Sequence, residues 1–314
     1  MIYHPPMRFL ALFVLAVMSG AAPAQTIGMN SWIHATANLD RTVQFYIEAF
    51  GLESPAPPQS PSPAVPALLN VPGAKLQAAM LRFPGAPFGF ELTNFGSGIE
   101  LHPGQPNAWD PGAARLIVET PNLDAALAAL KKAGASVVTR SGVAVKLRDG
   151  RVVVARDPDG YLLQLVESPA PGASVGLAVR DIQETAKFYH DLLGFDLHGL
   201  AEFQSDPGIS DAFGLPSGSP HRVMSAVVPG TQVLMEFWEF KRLNGATFRQ
   251  QVPDPGTPAI SLRVSDLDGL LRRLKAAGAP VISAGGVPVQ FSPTIRNIFV
   301  EDPNGFKIEL YEQK

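Results

Sequence analysis

One layout recurs four times along the 314 residues, and it limits the fold more than any other feature of the chain. Four short segments open with Asn or Asp and close with Gly. They run from Asn38 to Gly51, Asn122 to Gly134, Asp181 to Gly194 and Asp266 to Gly278. The Asn and Asp side chains can accept the free N–H groups of a first helical turn, and Gly suits the left-handed position after the last turn. Between these caps, apolar or small residues fall at helical spacing, as in Leu123, Ala126, Leu127 and Leu130 or Leu267, Leu270, Leu271 and Leu274. Each segment therefore predicts a helix with one buried stripe.

A β-like run precedes each cap: Trp32–Ala37, Leu116–Thr120, Val175–Arg180 and Ile260–Ser265. Further runs rich in Val, Ile, Leu and Phe follow each helix, bounded by turn residues such as Asp157-Pro158-Asp159-Gly160 and Asp302-Pro303-Asn304-Gly305. The order strand, helix, three strands thus repeats, and an α+β chain of four βαβββ modules is expected. Leu39 corresponds to Ile182, Leu123 to Leu267 and Asp157 to Asp302 at a nearly constant offset, which points to two duplicated halves. The expected division is residues 25–168, with modules at about 29–100 and 112–168, and residues 174–314, with modules at about 174–240 and 257–314. The Pro/Gly/Ser/Ala stretch Ser168–Ala173 separates them. Long irregular stretches, Pro55–Pro72, Asp206–Pro220 and Lys241–Pro255, read as lids.

The N-terminus carries Arg8, the apolar run Phe9–Met18 and the small-residue site Ala22-Pro23-Ala24-Gln25. This is the pattern of a secretory signal peptide over residues 1–24, too short for a comfortable bilayer span. A periplasmic or secreted protein, off the membrane after cleavage, is expected. The net charge of −3, with no basic cluster, gives no attraction for nucleic acid. With no cysteine in the chain, disulfides, thiolate metal sites and a Cys nucleophile are excluded.

The segments "NLDRTVQFYIEAFGL" and "VRDIQETAKFYHDLLGF", and the hairpins "RDPDGYLLQLVE" and "EDPNGFKIELYE", resemble the vicinal oxygen chelate superfamily of glyoxalases, bleomycin resistance proteins and extradiol dioxygenases. The resemblance covers nearly all of the chain after the leader. It implies modules paired into two U-shaped, mostly antiparallel sheets whose concave faces hold a divalent metal and a small-molecule substrate, in a monomer or homodimer. Related proteins exchange modules between partners, so pairing within or across the halves stays open. No organic cofactor is expected.

The same resemblance places metal ligands at the start of each first strand, usually His, and at a Glu in each last strand. The first positions fall on Ser31, Arg115, Ser174 and Ala259, and the last on Glu91, Gln164, Glu236 and Glu309. Three carboxylates remain and every first-strand His is replaced. Ring-opening dioxygenase chemistry, which uses two His and one carboxylate, is therefore disfavoured. Glu236 and Glu309 are expected to share a C-terminal cleft, as ligands of a divalent metal or as a general acid and base for proton abstraction beside a carbonyl. Recurrence of the Glu residues also fits an inherited polar position without use.

In the N-terminal half, Arg115 could bridge Glu91 or clamp a substrate carboxylate, with Gln164 nearby. Ser174, Phe237, Trp238 and His221 complete the candidate binding set. The aromatic stripe Phe237, Trp238 and Phe240 reads equally as core. His34 is expected to pack against the first helix or the back of the sheet, and His102 lies in a loop able to reach a cleft mouth. Three functions compete: a glyoxalase-like lyase or isomerase acting on a small oxygenated molecule, a metal-free module that sequesters a small molecule, and an interaction protein with filled hollows.

Overall fold

The computed structural model describes residues 25–147, 150–199, 202–241 and 247–314. The expected leader, residues 1–24, and part of the connection Lys241–Pro255 lie outside the described residues. In the first module, β1 (Thr26–Ala35) leads into α1 (Leu39–Phe50), a single turn α2 (Val65–Leu68), β2 (Gln77–Leu81) and β3 (Gly89–Asn94). The second has β4 (Ala114–Thr120), α3 (Leu123–Lys132), β5 (Ser136–Val137), β6 (Val145–Leu147), β7 (Gly150–Arg156) and β8 (Leu162–Glu167). The third has β9 (Gly172–Ala178), α4 (Ile182–Lys187) running into a π-helical turn, β10 (His198–Gly199), β11 (Gln204–Ser205), α5 (Pro207–Ala212), β12 (Pro220–Val227) and β13 (Leu234–Phe240). The fourth has β14 (Pro258–Val264), α6 (Leu267–Ala276), β15 (Val289–Ser292), β16 (Ile295–Glu301) and β17 (Lys307–Gln313).

All four caps form. The side chains of Asn38, Asn122, Asp181 and Asp266 accept backbone N–H groups of the first turn. Gly51 follows α1 at φ 65°, a conformation that a side chain would strain. The first module departs from the expected order. Between α1 and β2 it makes only isolated bridges, Glu53 with Arg82 and Gln59 with Ala78, where a third strand was expected.

The modules pair across the halves. One sheet has the order β15-β16-β17-β14-β1-β3-β2 and joins the fourth module to the first through antiparallel β1 and β14. The other, of ten strands, runs β10-β12-β13-β9-β4-β8-β7-β5, with β11 also paired to β12 and β6 to β7, and joins the third module to the second through antiparallel β4 and β9. The connection between β8 and β9 explains the second pairing. Four residues separate Glu167 from Gly172. At roughly 3.4 Å per residue so short a link keeps β9 close to β8, and it passes the end of β4 to set β9 beside it in the same sheet.

The two modules of each half are instead tied through their helices and turns. The helix α1 packs on α3, and one large apolar core fills the space between the two sheets and the helices. Trp32, fully buried on β1, stacks on Phe306 of the fourth module at 5.4 Å and donates through Nε1 to the Tyr161 hydroxyl of the second at 2.7 Å. Each concave face carries its own smaller apolar cluster.

Candidate functional site

Strand alternation directs Glu91 of β3 and Glu309 of β17 into the hollow of the seven-stranded sheet. The order β17-β14-β1-β3 sets them on opposite arms of the curve. Both line a cavity of about 290 Å³. Its walls are largely apolar: Ile33, Phe95, Phe291 and Phe299 from the sheet side, with Val65 and Leu68 of the α2 turn as a cover. The irregular stretch of the first module therefore covers one side of the cleft with its single helical turn.

Each carboxylate is half-buried and anchored differently. Glu91 accepts from the Thr93 hydroxyl at 3.2 Å, and Glu309 accepts from Asn297 Nδ2 at 2.6 Å. Burial, then the negative charge of Glu309, pushes Glu91 up to about 7. Burial also raises Glu309, while hydrogen bonds from Ser261 and Asn297 hold it back. Two carboxylates in one largely apolar cavity, both with raised proton affinity, form an arrangement that can serve as acid and base.

The hollow of the ten-stranded sheet is filled. Arg115, 1% exposed, donates through Nε to Gln164 Oε1 at 2.6 Å and through Nη2 to Glu236 Oε2 at 3.2 Å. Its guanidinium lies over the rings of Phe213, at 4.9 Å, and Trp238, at 5.5 Å. Trp238 donates from Nε1 to the same Glu236 oxygen at 2.8 Å. Gly176 stands where the guanidinium crosses β9, and a Cβ there would meet Arg115 Cζ at 2.6 Å. Ile209 and Ala212 of α5, with Phe213 and Leu215, plug the remaining space.

These placements revise the expected site. Glu236 and Glu309 do not share a C-terminal cleft, because they belong to different sheets. The partner of Glu309 is Glu91. Arg115 bridges Glu236 and not Glu91. Phe237 points into the core, with its ring 4.6 Å from Tyr189, and so lines no cleft. Trp238 and His221 lie in the filled hollow, His221 stacked on Trp238 at 5.6 Å. Ser174 pairs with Ile117 in the same sheet. His102 sits half-exposed between Glu100 and Asp254. Lys307, Asn297, Ser261 and Phe213 were missing from the sequence-derived set. Period-two alternation from Glu309 reaches Lys307, but Asn297 and Phe213 carry no local signal.

His34 is fully buried against α1 and the turn after β7. It lies 2.9 Å from Asp157 and 3.9 Å from Asp159. Among the described residues this is the one trio of side chains grouped as a metal site would need. Its oxygens are already taken. Asp157 accepts from His34, the Tyr46 hydroxyl and the backbone N–H groups of Asp159 and Tyr161. Asp159 accepts from Thr36, Thr42, Arg41 and the Ala37 N–H. The trio is a knot tying the first module to the second.

The divalent metal implied by the resemblance does not fit the open cleft. Ser31 and Ala259 stand where imidazoles would be needed, and two carboxylates alone fall short of the donor set of a first-row metal.

Comparison with known proteins agrees with this architecture. The chain is 29% identical to a lactoylglutathione lyase of Oryza sativa subsp. japonica over 173 residues, covering 52% of this chain and 53% of that protein. It is 28% identical to a lactoylglutathione lyase of Arabidopsis thaliana over 173 residues, covering 52% and 54%. The chain thus spans about half the length of the curated relatives it matches. The crystal structure of glyoxalase I from Zea mays superposes with a TM-score of 0.58 at 18% identity, covering 92% of each chain, and shares the fold. The profile of the Glyoxalase/Bleomycin resistance protein/Dioxygenase superfamily matches residues 32–165 and 173–310, one match per half. The chain belongs to that superfamily.

Proposed function

We propose that the protein acts on a small oxygenated molecule in the cleft of the seven-stranded sheet, as an isomerase or lyase that moves a proton beside a carbonyl without a first-row metal. One observation carries the reading: Glu91 and Glu309 enter one apolar cavity from opposite arms of the sheet. Glu309, held by Asn297 and Ser261, is the base. Glu91, ionising near neutral pH, is the acid on the other face of the ligand. The base takes a proton from the carbon next to the carbonyl, and the acid returns one from the opposite side.

The test is proton exchange at that carbon, followed by NMR in deuterated buffer containing a chelator. The panel is hydroxyacetone, lactaldehyde, 2-oxobutanoate and acetoin. Exchange of at least one compound above the buffer rate is expected, with loss of about 100-fold or more in Glu309→Gln. Exchange that survives both Glu91→Gln and Glu309→Gln would refute the assignment.

A second reading, sequestration without catalysis, is favoured by the apolar wall formed by Phe95, Phe291, Phe299 and the α2 turn. It predicts tight binding with no exchange. The N-terminal pattern supports export, and mature protein from a periplasmic or culture fraction is expected to begin at Gln25. No described helix is long and apolar enough to cross a membrane.

A further inference from the structure

Proton abstraction beside a carbonyl needs a base and also a group to stabilise the oxyanion that forms. In the open cleft no imidazole-bound metal is available for that work, and the structure offers another cation. Lys307 lies two residues before Glu309 on β17, on the same face, and both line the cavity. It also lines a second, outer hollow of about 530 Å³, and with Leu69 and Val252 it forms the wall shared by the two. Although 4% exposed, its ammonium has only two oxygen partners among the described residues: the Gly305 carbonyl at 2.8 Å and Glu301 Oε1 at 3.1 Å. A lysine ammonium has three donors, so one remains for a ligand. Glu301 also takes Arg249 Nη1 at 3.3 Å and keeps a cation if Lys307 turns inward.

We propose that Lys307 is a catalytic residue of this cleft, holding the carbonyl oxygen of the substrate and stabilising its enolate; this rests on the acid–base reading given above. Two residues along a strand span about 6.6 Å. A base about 3 Å from the reacting carbon and a donor about 3 Å from the oxygen leave room for one C–C=O unit between them. In the step, Glu309 removes the proton. The C–H electron pair becomes the C=C bond, and the carbonyl π pair moves to oxygen, where the Lys307 ammonium meets the charge. Collapse of the enolate reverses both pairs as Glu91 delivers its proton to carbon. The substrate class is therefore a small, mainly apolar aldehyde or ketone with an acidic neighbouring C–H.

The experiment uses 4-nitrophenol, whose phenolate mimics an enolate and reports its own ionisation by colour. The background is Glu91→Gln/Glu309→Gln, in which neutral amides stand in for protonated carboxyls and the acid–base pair cannot obscure the readout. Dye bound to this variant is expected to ionise about tenfold more readily than free dye. Adding Lys307→Arg keeps the effect, and adding Lys307→Met abolishes it. Dye bound only as the neutral phenol, or an equal effect with Met at position 307, overturns the role of Lys307 and leaves the cleft standing. No binding of dye at all overturns the cleft as a ligand site. The first of these measurements needs no change at position 307, so dye bound only as the neutral phenol refutes the role even if Lys307→Met does not fold.

Discussion

Glu91 links the chemistry of the cleft to the stability of the protein. Its midpoint lies at about 7, against 4.5 for the ordinary side chain, and the causes are burial followed by the charge of Glu309. An acid whose midpoint rises on folding binds more protons in the folded state between the two midpoints. Stability therefore falls as pH climbs from 4.5 to 7 and changes no further above that. At 1.36 kcal/mol per pH unit, the contribution lost reaches about 3 kcal/mol, a ceiling because the carboxyl is only half-buried. Glu91→Gln removes the ionisation and keeps the shape. It is expected to change stability little at pH 4 and to stabilise by up to about 3 kcal/mol at pH 8, or about 5 °C in Tm for a chain of this size. Urea unfolding of both proteins at the two pH values measures this directly. A difference that does not vary with pH, or destabilisation at pH 8, would refute the coupling argued for this cavity.

Other outcomes follow from the two remaining polar clusters. Asp157→Ala strips four donors of their acceptor in a dry interface and should cost about 3 kcal/mol or more by denaturant unfolding; a loss under about 1 kcal/mol would show that the knot does not bind the modules together. Glu236→Gln leaves Arg115 buried with a weaker partner and should destabilise by about 2 kcal/mol, yet it should leave proton exchange in the other sheet unchanged. Phe213→Ala opens the plug of the filled hollow and should cost about 3–5 kcal/mol, and measurable dye binding at the new space would identify the plug as what closes it.

The repeat was legible because it is written in local chemistry. Asn38, Asn122, Asp181 and Asp266 cap their helices through their own side chains, and the closing glycines adopt positive φ. The concave positions of Glu91, Gln164, Glu236 and Glu309 were implied by the family resemblance, which sets a carboxylate in each last strand. Which modules share a sheet was not legible from hydrophobic pattern, since each module presents a similar first strand to any partner. The signal lay in connection length, with four residues between β8 and β9 and nineteen between Asn94 and Ala114. Missing it put Glu236 beside Glu309 and Arg115 beside Glu91. The role of Phe213 was hidden for a different reason. An irregular insertion shows which residues are apolar, but not which hollow they fill.

The two hollows began as equivalent surfaces and reached opposite solutions to one problem, the cost of polar groups on a concave apolar face. In the ten-stranded sheet, Arg115 in place of an imidazole brings a charge that Glu236 neutralises, and α5 with Phe213 covers the pair. The result is a packed core in which the Arg115 charge is paired, though its Nη1 has no hydrogen-bond partner among the described residues. In the seven-stranded sheet, Ser31 and Ala259 bring no charge, so Glu91 and Glu309 face each other without a cation between them. Among the described residues the one buried ammonium on that face, Lys307, stands aside with Glu301. Evolutionary disuse would remove the cost of burying Glu91 beside Glu309 by replacing Glu91 with an apolar residue, at a gain of up to about 3 kcal/mol. The pair is present together with a covering turn and a cavity, and a destabilising arrangement of that kind is the physical signature of a site held ready for a ligand.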